Sequence, residues 1–264
     1  MSMLPLDSRQ RSLVWELTKR DVLGRYRGAS FGVLWSLISP FLMLMVYTLA
    51  FGFILKSRWP GTSGSTQDFA LILFAGLSVH GFFAECLTRA PQLILSNVNY
   101  VKRVVFPLQM LSWSMMLSAA FHLSMNLLVL LLLKWVWHGE IYWTVALLPL
   151  VMLPMLALAV AVSWLVSALA VYFRDVGQFV GVLAAAMLFL SSAIVPVDSV
   201  PESYRWVFHL NPLTLIIDQV REVVIWGRTP NWGALVVYGV GVLIFAWVSY
   251  RVFDRLRRGF ADVL

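Results

Sequence analysis

Residues able to do chemistry are few and far apart in this 264-residue chain. A phosphate-cradling P-loop needs Gly directly before Lys, with Ser or Thr after it. The four lysines, Lys19, Lys56, Lys102 and Lys134, follow Thr, Leu, Val and Leu, so the chain carries no P-loop. HExxH and GxSxG are absent too. The single cysteine, Cys86, excludes internal disulfides and cysteine-cluster metal chemistry. What remains inside apolar stretches is Glu85, His80 and His122. An acid at the centre of a membrane span costs ~2.5–3.5 kcal/mol and is a functional candidate by default. Arg89, however, follows Glu85 by one helical turn, so an i,i+4 ion pair near a membrane face is the simpler reading. Neither histidine has a second ligand at metal spacing, and hydrogen bonding between helices suits them better.

The elements that must position these groups are helices in a membrane. The chain is 60% hydrophobic and 12% charged, where a soluble domain carries about 25% charged residues. Uncharged windows at 28–55, 69–84, 104–133, 141–173, 176–197 and 229–250 predict six spans. Lipid cannot satisfy an exposed backbone, and barrel-type alternation is absent, so the spans are helical. The expected fold class is an all-α integral membrane protein, a single transmembrane unit over 1–264 with its six spans within 29–253. No short apolar core with a small-residue cleavage site opens the chain, so the first span is expected to be retained.

Charge placement sets the orientation. With the N-terminus inside, fourteen of the twenty Lys and Arg residues fall on the inner segments. Both termini are therefore expected in the cytoplasm, the tail being 254–264. The net charge of +7 sits beside the spans, which points to membrane lipids and away from nucleic acid. Residues 9–28 read as an interfacial helix, although their apolar residues make no single clean stripe. The 91–106 link is too long for a tight hairpin and has room for a short helix. Residues 206–217 are uncharged but broken by Asn211-Pro212, predicting two short outer helices that meet there. Under this topology Trp59, Trp135, Trp137, Trp143, Trp206, Trp226 and Trp232 lie at the outer face. A headgroup-level aromatic belt explains them without any ligand, and a sugar path over aromatic faces is the alternative.

Several stretches together resemble one family. KRDVLGRYRGASFGVLWSLISP at 19–40, VKRVVFP at 101–107, YFRDV at 172–176, and IVPVDSVPESY with HLNPLTLIIDQVRE over 194–222 are similar to ABC-2-type permeases that export O-antigen, capsule or teichoic acid. Among these the chain looks most like an O-antigen exporter membrane subunit.

The resemblance implies a homodimeric permease served by two copies of an ABC ATPase subunit, moving lipid-linked polysaccharide across the bacterial inner membrane. It implies no cofactor in this chain, ATP and Mg being held by the partner. Arg20, Asp21, Asn97, Tyr100, Lys102, Arg103, Arg174 and Asp175 would couple to the ATPase, with 91–106 as the docking segment. Arg25, Tyr26 and Arg27 would receive the lipid diphosphate, a task that suits guanidinium groups. Trp35, Phe41, Tyr47 and Phe51 would line the channel. Tyr204, Asn211 and Pro212 would belong to outer re-entrant gate helices within 196–232. The competing readings are an ABC-2 exporter of a drug or small lipid, and a membrane-embedded glycosyl- or phosphotransferase. The second would need a cluster of acids, and the carboxylates here are scattered.

Overall fold

The computed structural model describes residues 7–54, 58–60, 62, 64–102 and 106–264, and among them it contains helices and turns only. Helix α1 (Ser8–Arg25) starts on Asp7, whose carboxylate accepts from the Arg9 amide. Past its end, Gly28 takes φ +86°, a turn that a side chain would strain. Helix α2 (Trp35–Tyr47) contains Pro40 and continues as a π-helical segment to Ile54. Helix α3 (Thr66–Arg89) is capped by the Ser65 hydroxyl, which accepts from the Asp68 amide.

Two short helices follow, α4 (Gln92–Leu95) and α5 (Val98–Val101), so the described part of the 91–106 link holds the short helix it had room for. Helix α6 (Gln109–His138) ends on Gly139 at φ +73°. Helix α7 (Leu148–Tyr172) returns, and α8 (Val176–Phe189) starts after a tight turn. Helices α9 (Glu202–Leu210) and α10 (Pro212–Arg221) meet at Asn211-Pro212, as the Pro predicted. Helix α11 (Trp232–Leu256) and the short α12 (Phe260–Val263) close the chain.

Five helical stretches are long and apolar enough to cross a membrane: Gly32–Ile54, Thr66–Arg89, Gln109–His138, Trp143–Tyr172 and Trp232–Val263. The sixth window, 176–197, holds only the 14-residue α8 before the chain breaks into turns. At 1.5 Å per residue that helix is about 21 Å long, short of a ~30 Å hydrocarbon core. The break is possible because α8's open carbonyls find donors. The Asn211 amide donates to Met187 and Leu190, both at 2.9 Å, while Arg221 donates to Ser192 at 2.6 Å and Ala193 at 2.9 Å. The next segment thus supplies the polar partners that lipid lacks.

Helix α3 is the axis of the fold. It is 72% buried over its most apolar window, against 17% for the first span and 22% for α11. It packs on α6, α7, α8 and α10, while α1 lies along α6 and α11 along α7. Trp164, 1% exposed, fills the centre, donating its indole N–H to the Gln109 carbonyl at 3.2 Å with Trp113 and Tyr250 edge-on to it.

Candidate functional site

Polar side chains gather at the two ends of this bundle. At one end, α1 is tied to α3 by a chain of charges. Arg89 pairs with Asp21 at 2.7 Å and with Glu85 at 3.0 Å, and Arg25 closes on the same Glu85 carboxylate. Arg25 also reaches the ring Nδ1 of His122 on α6 at 3.3 Å, and Tyr26 lies against that ring. The expected Glu85–Arg89 pair is therefore present, but as half of a four-membered network. Burial would raise the Asp21 carboxyl; the Ser118 hydroxyl and the Arg89 guanidinium outweigh it and hold the group below the ordinary carboxylate range.

The network reaches the 91–106 link as well. Arg20 donates to the Tyr100 hydroxyl at 3.0 Å, and the Tyr100 ring stacks on Phe106 with centroids 4.3 Å apart. Beside these contacts lies a cavity of about 570 Å3 lined by Arg20, Asp21, Arg25, Arg89, Gln92 and Asn97 among others. Asn97 is half-buried and donates to the Leu93 carbonyl, four residues back in the same link, at 2.9 Å. Lys102, Arg174, Asp175 and Arg27 are exposed, and none of them forms an ion pair among the described residues. Arg103 lies outside the described residues.

The four first-span aromatics do not share one face. Trp35 and Tyr47 line a cavity of about 250 Å3 with Pro40, Phe74, His122 and Asn126. Phe51 turns instead into a small core with Trp59, Phe69, Ile72 and Leu73, and Phe41 is exposed. His80 Nε2 donates to the Ala184 carbonyl at 3.0 Å, which fits the interhelical bonding expected of it.

At the other end, Asn211 is buried and joins α8 to α10, also accepting from the Leu213 amide at 3.0 Å, and Pro212 takes the first position of α10. Tyr204 is exposed on α9. The organising residue there is one that sequence reading passed over. Arg221, 3% exposed, donates to the carbonyls of Ile72 at 3.1 Å, Ser192 and Ala193, and its guanidinium lies 4.4 Å from the Trp59 ring centre. Gly76 makes room for it, since a Cβ there would sit 2.5 Å from the guanidinium. Burial lowers Arg221 to about 10, still charged at neutral pH, and raises the neighbouring Asp218. The signal in the sequence was an arginine on an otherwise apolar face, three residues after an acid.

Trp59 corrects the belt reading at one position: it is 9% exposed and serves as the platform for Arg221. Trp135, Trp143, Trp206 and Trp232 are exposed as a belt requires. Among the described residues no group of His, Cys, Asp and Glu could hold a metal ion.

The family model described as ABC-2 type transporter matches residues 12–225. An O-antigen export system permease protein RfbA of Klebsiella pneumoniae is 24% identical over 258 residues, covering 94% of this chain and 93% of the relative. A protein of the same name from Myxococcus xanthus is 25% identical over 254 residues, covering 96% and 95%. The polysialic acid transport protein KpsM of Escherichia coli is 25% identical over 251 residues, covering 92% and 93%.

Proposed function

This multi-pass membrane chain belongs to the ABC-2 type transporter family, and from that premise we propose that it is the permease subunit of an ATP-driven exporter of lipid-linked polysaccharide. The relatives named for O-antigen and polysialic acid transport support that cargo over a drug or small lipid. In this reading the chain has six spans, α8 and its turn being the broken one. Both termini face the cytoplasm of a bacterium, and two copies enclose the path.

Two copies of an ABC ATPase, carrying ATP and Mg, bind the inner end. The observation that carries the reading is the direct bond from α1 to the 91–106 link, Arg20 to Tyr100, beside the Asp21–Arg89–Glu85–Arg25 network. A push on the link is delivered through it to α1 and α3 together, and α3 is the axis on which the rest of the bundle packs. Lys102, Arg103, Arg174 and Asp175 are the coupling residues that meet the ATPase. Of the residues assigned to the lipid diphosphate, Arg27 is exposed and free of ion pairs among the described residues, whereas Arg25 is engaged by Glu85. Arg27 therefore takes the first contact. The α9–α10 pair is the outer gate, held on its inner side by Asn211 and Pro212.

The test is ATP hydrolysis by this chain co-purified with its ATPase, with and without lipid-linked glycan. A stable complex whose hydrolysis responds to the glycan is expected. No co-purifying ATPase, or hydrolysis indifferent to the glycan in an intact complex, overturns the reading.

A further inference from the structure

Helix α8 packs more closely on α3 than on α7, and a cavity of about 510 Å3 lies in the gap. Leu158 and Val162 of α7 line it with Phe245 of α11, Leu183 and Met187 of α8 and Leu210 of α9. Leu190 at the end of α8 lines it too, and Leu190 and Leu210, 43% and 72% exposed, stand at its mouth.

The cavity sits deep along the spans. At 1.5 Å per residue, Leu158 and Phe245 are about 21 and 17 Å from the Tyr172 and Leu256 ends of their helices. That is near the middle of a ~30 Å hydrocarbon core. Asn211 is the one polar side chain among the described residues that line it, and its hydrogen bonds are all committed. Both amide hydrogens go to the Met187 and Leu190 carbonyls, and its oxygen accepts from the Leu213 amide.

This lining excludes most occupants. A sugar, a phosphate or an ion would find no partner for its polar groups. Water is not held by an apolar wall that offers it no hydrogen bonds. Left empty, the space would cost every lining atom its dispersion contacts on one side. A helix from a second copy is too thick, since for a cylinder ~10 Å across this volume is little more than one turn. A single aliphatic chain is slim enough, and it is the medium that surrounds the mouth.

We propose that this crevice binds one acyl chain of a bilayer phospholipid, as a hydrocarbon wedge between the α7–α11 pair and the end of α8 with α9. Helix α8 is about 21 Å long and stops short of a ~30 Å core. The acyl chain fills depth that the helix leaves open. Because no charged or uncommitted polar side chain lines the crevice, it does not select a headgroup, and the abundant bilayer lipid supplies the chain. The site goes beyond the exporter reading and needs only a bilayer; its consequence for transport rests on the outer-gate part of that reading. Hydrocarbon slides without breaking hydrogen bonds, so α8, α9 and α10 can shift against α7 with no polar group uncovered.

Native mass spectrometry of the full chain, released from nanodiscs of dioleoyl phosphatidylcholine or of dioleoyl phosphatidylglycerol, tests the crevice. A retained phospholipid adduct is expected from both bilayers alike. Its occupancy should fall about fivefold or more in Ala186→Phe, whose ring takes volume that the acyl chain needs. Val237→Phe, on the 74% exposed face of α11, should leave it unchanged. A phosphatidylcholine with a photoactivatable diazirine at mid-chain tests the unaltered protein, so the proposal stays falsifiable should Ala186→Phe fold poorly. Cross-links should concentrate in 158–162, 183–190 and 207–211 over the exposed 236–244 face. No adduct, an adduct from phosphatidylglycerol alone, a polyprenyl lipid or a second chain in its place, or cross-links no denser in the crevice than on α11 overturns the proposal. These measurements use neither ATPase nor glycan, so their failure leaves the exporter reading standing. Conversely, an adduct retained in a chain whose partner ATPase ignores the glycan supports the crevice and removes the assigned cargo.

Discussion

The two charged regions of this protein are built on opposite principles. At the α1 end, Asp21, Arg25, Glu85 and Arg89 pair with one another while their side chains remain 23–33% exposed. At the α10 end, Arg221 has a side chain 4% exposed, and its donors go to main-chain carbonyls from two other segments. Partly wetted ion pairs are worth little individually and exchange partners cheaply. A buried guanidinium serving three carbonyls has no substitute partner and loses a great deal if displaced. One end is made to rearrange and the other to hold.

The sharpest way to break that contrast is at Arg221. Arg221→Met should destabilise the fold by about 3–5 kcal/mol, because three carbonyls lose a donor deep in the bundle. Thermal unfolding in detergent, followed by intrinsic fluorescence, measures it, and a loss below about 1 kcal/mol would mean the residue is no clamp. Asn211→Ala comes next, at about 1–3 kcal/mol, since it removes an N-cap and two donors to the end of α8. Hydrogen exchange should rise at residues 187–195 in this variant more than in α3.

At the other end, Asp21→Asn should cost only about 1 kcal/mol in global stability yet raise protease access to α1. In a double-mutant cycle, Asp21→Asn and Arg89→Gln should be strongly non-additive, as contacting residues are. Salt separates the regions further. Raising ionic strength should loosen α1 and leave the α9–α10 pair unmoved, because only the wetted pairs are screened.

The smallest effect is in pH. The folded carboxyl of Asp21 lies below the ordinary carboxylate range. Its contribution is therefore fully present above that ordinary range and lost as the pH falls through the lowered value. Protease access to α1 should rise in that acid window in the native chain and be flat there in Asp21→Asn.

Much of the architecture was legible in composition and local pattern. Long uncharged windows marked the helices that lipid requires, Asn211-Pro212 marked a helix junction, and the spacing of Glu85 and Arg89 marked their pair. Each of these depends on neighbours in sequence. The site was legible in smaller part. Trp35, Phe41, Tyr47 and Phe51 share a helical stretch, but which of them turns inward depends on what α3 and α6 present to each. The 176–197 window read as a full span because hydropathy cannot register that Asn211 and Arg221 stand ready to take its carbonyls.

By itself, then, the sequence determined that this is a helical membrane chain, where its apolar segments lie, and which family its motifs resemble. Those properties follow from the low tolerance of hydrocarbon for charge and unpaired backbone, which acts on every residue locally. Tertiary structure alone decided that Arg25 and Asp21 meet Glu85 and Arg89 across 60 and 68 residues of sequence, and that Arg221 reaches Ile72 across 149. Contacts of that range are set by how helices pack against one another, and no local pattern encodes which carbonyl a distant arginine will find.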